Sequence, residues 1–220
     1  MRTSLVTGAN RGIGLELCRQ LKARGDAVIA VCRRSSKELD ALKVAVEAGI
    51  DVSDDAAIAT LRARLEGIKL DLLVNNAGIY EDTTLDHLDF AAIRRQIEVN
   101  ALGPLRVTAA LLPLLGADSK IAIITSRMGS MGDNSSGSHY GYRMSKAAVN
   151  AAGVSLARDL HGRGVAVAII HPGMVSTEMT SGQGIEAAES VRGILARIDA
   201  LTIERSGSFW HATTAETLPW

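Results

Sequence analysis

Short apolar runs recur along the chain between longer stretches of helical periodicity, and this alternation constrains the fold more than any other feature. A strand facing water on one side alternates apolar with polar residues; a continuous apolar run suits a strand covered on both faces. Ser4–Val6, Ala27–Val31, Leu70–Val74, Ile121–Ile124 and Val165–Ile170 read as strands, the last ended by Pro172. Lys43–Val46 is a weaker third strand in chain order, and Ser208–His211 marks a final one. Ile13–Ala23 places Ile13, Leu17 and Leu21 on one helical face; helical patterns also cover Ala56–Leu65, Phe90–Val99, Gly103–Leu115 and Tyr142–Leu160. Asp54 and Asp55 suit a positive helix start, and Pro104 is tolerated in a first turn. The pattern predicts βαβ units and an α/β fold: a single Rossmann-like doubly wound domain over residues 1–220, with a mostly parallel central sheet. Residues 173–190, containing Gly173, Gly182 and Gly184, read as a loop, with 174–190 its substrate-facing part.

Composition narrows the partners. Lys plus Arg and Asp plus Glu are 24 each, so net charge favours neither nucleic acid nor an anionic membrane surface. The start lacks the apolar stretch of a signal peptide, and no run approaches the about 18 apolar residues that span a bilayer. Cys18 and Cys32 form no CxxC pair and stand at no metal-ligand spacing. The expectation is therefore reduced thiols, no metal site and a cytoplasmic protein.

Between the first strand and first helix lies Thr7-Gly8-Ala9-Asn10-Arg11-Gly12-Ile13-Gly14. Glycines let the backbone turn tightly and approach a ligand, and the N–H groups at the following helix start suit a pyrophosphate. The spacing is GxxxGxG rather than the commoner GxGxxG. Nicotinamide sites that take the unphosphorylated ribose place an acid near the end of the second strand. Here Val31-Cys32-Arg33-Arg34 stands there instead. A guanidinium binds phosphate through charge-assisted hydrogen bonds, so the expected cofactor is NADP(H), with Arg33 the first choice for its 2′-phosphate and Arg11 in support.

Tyr142 and Lys146, four residues apart in a helical stretch, share one face. Such a pair is common on helices and incidental by itself; only its place among the ordered motifs below gives it a catalytic reading. A free phenol titrates near about 10; a nearby ammonium should lower that value and make proton transfer feasible near neutral pH. Ser126 ends the fifth strand, where its hydroxyl can hold a substrate oxygen beyond the carboxyl ends of the sheet. Tyr140 is a poorer candidate, because Met144 stands where its lysine would be.

In chain order, Thr7–Gly14, Asn75-Asn76-Ala77-Gly78, Ser126, Tyr142-xxx-Lys146 and Pro172-Gly173-x-Val175-x-Thr177 resemble the ordered motifs of short-chain dehydrogenases/reductases. Cys32-Arg33 and Tyr140-Gly141-Tyr142-Arg143 resemble the C-factor-like and Sniffer-like carbonyl reductase branch. The resemblance implies a catalytic set of Asn100, Ser126, Tyr142 and Lys146, with Asn100 supporting a water-linked proton path to the lysine. It implies cofactor contacts from Gly8, Asn10, Arg11, Gly12, Ile13 and Gly14, from Asn76, Ala77 and Gly78, and from Tyr142 and Lys146. Asp51 and Val52 would meet the adenine, although Asp51 reads equally as a helix cap; Asn100 also has a capping alternative. Pro172, Gly173, Val175 and Thr177 would meet the nicotinamide end. The expected activity is an NADP(H)-dependent oxidoreductase acting on a small carbonyl or alcohol, a ketone or aldehyde reductase, in a homodimer or homotetramer. A non-catalytic NADP(H) sensor and an epimerase or dehydratase on a related scaffold stay open alternatives. Tyr80, Tyr140 or Trp210 could supply one substrate wall; His139 and His171 are left unassigned.

Overall fold

A computed structural model describes all 220 residues. Its strands are β1 (Thr3–Thr7), β2 (Ala27–Cys32), β3 (Ala45–Ala48), β4 (Leu70–Asn75), β5 (Leu115–Ile124), β6 (Ala166–His171) and β7 (Phe209–His211). The helices are α1 (Gly12–Ala23), α2 (Lys37–Ala41), α3 (Asp55–Arg64), α4 (Phe90–Ile97), α5 (Gly103–Leu111), α6 (Tyr140–His161) and α7 (Ala187–Asp199). The strands form one sheet in the order β3-β2-β1-β4-β5-β6-β7. Every neighbouring pair is parallel. The chain winds outward from β1 to β3, then crosses to β4 and winds the other way. That reversal opens a crevice beyond the carboxyl ends of β1 and β4, where this kind of sheet binds ligands.

Alternate strand residues feed two cores, as period-two side-chain geometry requires. Leu5, Val31, Leu73, Ile121, Ile123 and Val167 join Leu61, Leu111, Val149 and Leu160 from α3, α5 and α6 on one face. Val6, Ala30, Leu72, Val74, Ala122 and Ile170 join Leu17, Leu21, Ile194 and Ile198 from α1 and α7 on the other. Burying each large aliphatic side chain stabilises the fold by about 1.5–3 kcal/mol. No helix is long and apolar enough to cross a membrane.

Several boundaries differ from those read in the sequence. The third strand begins at Ala45, not Lys43, because Lys43 takes a left-handed turn (φ 54°) after α2. Helix α2 itself was not foreseen; Ser36 caps it by accepting from the Leu39 N–H. The helix expected over Gly103–Leu115 stops at Leu111. Pro113 disfavours further α-helix for the residue before it and removes a donor, so Leu112–Leu114 tightens into a 3₁₀ turn and β5 starts at Leu115. Between α4 and α5, Glu98–Leu102 forms a π-helical turn. Helix α6 starts two residues early, at Tyr140. The loop expected through residue 190 ends at Glu186, and α7 follows from Ala187; Val191, Ile194, Leu195 and Ile198 form its buried stripe.

Candidate active site

The glycine turn joins β1 to α1 beside the end of β4. Gly8 has φ 65°, and a Cβ there would sit 2.8 Å from Ala77 Cα; one on Gly14 would sit 2.1 Å from the Gly8 carbonyl oxygen. Both glycines are therefore required by the chain's contact with itself. Thr7 and Asn76 tie the two loops together. The Thr7 Oγ1 accepts from the Asn76 and Ala77 N–H groups at 3.0 and 3.1 Å, and Asn76 Nδ2 donates to the Thr7 carbonyl at 3.0 Å. The Asn10 carbonyl accepts from the Ser36 hydroxyl at 2.8 Å. Gly12 (φ 53°) faces Thr177, and Ile13 packs partly against the α1–α7 core. Helices α2, α3 and α4 each have a side-chain N-cap, whereas α1, preceded by Arg11, has none, as is also true of α5, α6 and α7. The first N–H groups of α1 stay available, so the turn offers donors, dipole and close backbone approach to a diphosphate.

Beyond the end of β2, Arg33 and Asp51 form an exposed ion pair at 3.8 Å, and Arg11 pairs with Glu178. Asp51 Oδ1 also accepts from the Ser53 N–H and hydroxyl. Asp54, not Asp51, caps α3, so the capping alternative for Asp51 falls away. Val52 is buried in the core beneath Gly103, whose Cβ position lies 2.9 Å from Val52 Cγ2. Its side chain is thus a packing group.

The polar centre gathers at the ends of β4 and β5 and the start of α6. Ser126 is buried, caps the 3₁₀ turn Arg127–Gly129 and accepts from the Met128 N–H at 3.1 Å. A Cβ at Gly129 would lie 2.7 Å from the Lys146 carbonyl carbon, so only glycine lets this turn reach α6. Sequence reading overlooked Gly129, and only three-dimensional proximity reveals it. Lys146 is buried; its Nζ donates to the Ile124 carbonyl at 3.1 Å and lies 5.6 Å from the Tyr142 ring centroid. Asn100 is buried inside the π-helical turn. It accepts from the Ile79 N–H and donates to the Ile79 carbonyl, both at 2.8 Å, and donates to Ser145 Oγ at 3.0 Å. Asn100 is therefore no helix cap but a brace between helix and strand end. A Cβ on Gly78 would lie 3.3 Å from Asn100 Oδ1 and 3.8 Å from Lys146 Nζ.

Electrostatics differ from the expected lowering of the tyrosine. Burial pushes Tyr142 up to about 12; the Ser126 hydroxyl pulls it back and Tyr80 adds to the rise. Burial brings Lys146 down to about 8. Desolvation disfavours the charged form of each group and is the first cause of both shifts. In the protein alone, Tyr142 is a neutral phenol at pH 7 and thus a proton donor.

The segment after β6 closes the crevice. Pro172 is buried and its carbonyl accepts from the Ser190 hydroxyl at 2.7 Å. Gly173 has φ 88° and lies near Ile185 and His211. Val175 is buried and bridges Ile185. Thr177 and Thr180 form a reciprocal capping box around Glu178–Thr180. Residues 174–186 are thus hydrogen-bonded to one another. A separate groove of about 640 Å³ lies at the far end of α6, among Arg158, His161, Glu204 and Trp220, and holds none of the expected site residues.

A doubly wound sheet, an uncapped glycine turn at its switch point, a serine just after β5 and a tyrosine and lysine in the first turns of α6 define a dinucleotide-binding oxidoreductase. Residues 2–187 match the model of the short chain dehydrogenase family, and the chain belongs to that family. It is 44% identical over 219 residues to a 1-hydroxy-2-glutathionyl-2-methyl-3-butene dehydrogenase of Rhodococcus sp. strain AD45, covering 96% of this chain and 97% of the relative. The structure of NADPH-bound carbonyl reductase from chicken fatty liver superposes with a TM-score of 0.90 at 30% identity, covering 100% of this chain and 99% of that one. Carbonyl reductase Sniffer of D. melanogaster superposes with a TM-score of 0.92 at 28% identity, each chain covered completely.

Proposed function

We propose that this chain is an NADP(H)-dependent carbonyl reductase acting on a small ketone or aldehyde. The observation that carries the reading is a neutral, desolvated Tyr142 beside Ser126 and a buried Lys146 at the mouth of the crevice. NADP(H) would lie with its diphosphate on the Gly8–Gly14 turn and its 2′-phosphate at Arg33 and Arg11. Both arginines stand in exposed ion pairs, which solvent screens, so a phosphate can compete for them. Asp51, Asn76, Ala77 and Gly78 would border the adenosine side, and Pro172, Gly173, Val175 and Thr177 the nicotinamide side. The cofactor supplies the hydride.

The chain's own residues handle the oxygen and the proton. Ser126 and Tyr142 hydroxyls hold the carbonyl oxygen in place. Tyr142, a neutral phenol, donates its proton to that oxygen as negative charge develops. Lys146 stabilises the resulting phenolate, and Asn100 holds the Ile79 segment and Ser145 so that the lysine side of the centre stays in register. Oxidation of an alcohol reverses these roles. Residues 174–186, the stretch before α7, serve as the substrate loop of a single domain. The exposed side chains Leu85, Leu88, Phe90, Leu102 and Leu105 suit a homodimer or homotetramer contact, and two buried free thiols suit the cytoplasm.

The test is NADPH oxidation followed across a panel of aldehydes and ketones. Turnover with NADPH preferred over NADH is expected. Tight NADPH binding without turnover of any carbonyl would point to a sensor, and redox-neutral product formation to an isomerising or dehydrating enzyme.

A further inference from the structure

Outside every motif that identified the site, a polar cluster joins the segment after β4 to the residue preceding α6. His139 Nδ1 lies 2.7 Å from Asp82 Oδ1 and 2.9 Å from Tyr80 Oη, and Tyr80 Oη reaches the same carboxylate oxygen at 3.4 Å. A carboxylate only accepts, so the imidazole proton sits on Nδ1, where it is shared between Asp82 Oδ1 and the Tyr80 oxygen, while the Tyr80 hydroxyl donates to Asp82. Carboxylate and imidazole together hold the phenol oxygen of Tyr80. The other side of Tyr80 meets Tyr142: the two rings pack edge to face, centroids 5.2 Å apart and planes at 80°.

The backbone is bent to build this cluster. Ser138 and His139, neither of them glycine, both take left-handed conformations, with φ of 57° and 53°. Such strain persists only where surrounding structure enforces it, and it gathers at functional sites. His139 stands at the N-cap position of α6 but gives no side-chain cap. Thr83 does that work from a distance, its Oγ1 accepting from the Gly141 N–H at 2.9 Å and its carbonyl from the Tyr140 N–H at 3.1 Å. The imidazole is thereby left to engage Tyr80 and Asp82. Segment 79–83 is itself pinned, through Asn100 at Ile79 and through Gln96 at Glu81.

We propose that Tyr80, clamped by His139 and Asp82, is a positioning residue that sets the direction of the Tyr142 hydroxyl. This rests on the reading of Tyr142 as proton donor. Tyr80 acts through its ring, which fixes the tilt of a half-buried phenol that also has the Lys146 ammonium 5.6 Å from its ring centroid. Without that wall the Tyr142 ring gains rotational freedom, and small misplacement of a proton donor is costly to turnover but not to cofactor affinity.

The protein has three tyrosines, so ¹³Cζ-tyrosine labelling gives three resonances, with Tyr142 assigned by its loss in Tyr142→Phe. Spectra, kcat, NADPH affinity and Tm are compared for wild type, Tyr80→Phe, Tyr80→Leu and His139→Asn. Asparagine tolerates the left-handed backbone while removing the imidazole. Tyr80→Leu should shift the Tyr142 resonance and lower kcat by about 10- to 100-fold, with NADPH affinity unchanged. Tyr80→Phe and His139→Asn should give smaller losses of the same kind at unchanged Tm. An unmoved Tyr142 resonance, or wild-type kcat in Tyr80→Leu, overturns the proposal. So does a Tyr80→Phe variant that loses kcat, NADPH affinity and Tm together, which marks a structural role. If wild type reduces no carbonyl, the reading of Tyr142 as proton donor fails, while its resonance still decides whether Tyr80 holds it.

Discussion

At the scale of single residues, desolvation decides the chemistry. Four-residue spacing places Tyr142 and Lys146 on one helical face, but spacing carries no information about burial. Sequence reasoning therefore predicted a tyrosine made more acidic by its lysine. The structure instead raises Tyr142 to about 12 and lowers Lys146 to about 8, in each case chiefly by burial. A phenol held neutral is suited to donating a proton to a reduced carbonyl, which is the direction the site favours. Arg33 is the second residue-scale lever. Its side chain is exposed and paired only with Asp51, so it is free to trade that partner for a phosphate. Arg33→Asp should raise the KM for NADPH by about 10- to 100-fold, the loss of one or two charge-assisted hydrogen bonds, and change the KM for NADH far less. Steady-state kinetics with both cofactors check this; equal effects would remove Arg33 from the 2′-phosphate site.

At the scale of elements, the strands and the glycine turn were legible because their signals are local. Continuous apolar runs announce buried strands, and Gly8 through Gly14 announce a tight turn. What escaped was set by tertiary contact. Gly129 is indispensable only because Lys146 backbone passes close by, and Thr83 caps α6 across more than fifty residues of chain. The π-helical turn at Glu98–Leu102 carries Asn100; such turns collect at functional sites but leave no sequence mark. Helix α7 is a different matter: Val191, Ile194, Leu195 and Ile198 show plain helical spacing, masked by the glycines that precede them. The glycine turn yields a direct prediction. Gly14→Ala would place a methyl 2.1 Å from the Gly8 carbonyl oxygen, and overpacking of this kind costs about 1–3 kcal/mol. Thermal unfolding should show a lower Tm and calorimetric titration weaker NADPH binding; a variant unchanged in both would mean the turn has slack.

At the scale of the whole molecule, one parallel sheet brings the glycine turn from the first strand, Ser126 from the fifth and the Pro172 segment from the sixth to a single edge. Stability and function meet there too. His171, at the end of β6, is driven down to about 3, first by burial and then by His211, Arg127 and Lys146, and its Nδ1 is buried without a partner. The folded state thus holds the imidazole neutral, whereas the unfolded chain takes up a proton near pH 6.5. The unfolded state binds more protons between about pH 6.5 and 3, so stability falls as pH drops through that window. His171→Leu should flatten this fall, read as Tm against pH; an unchanged slope would show that other groups set it. The central claim is that Tyr142 supplies the proton while the rest of the crevice holds the cofactor. It is tested most directly by purifying Tyr142→Phe and measuring NADPH binding and carbonyl-dependent NADPH oxidation on the same sample. Unchanged binding with turnover reduced by about 10²- to 10⁴-fold is predicted for the loss of a general acid; turnover close to wild type would contradict it.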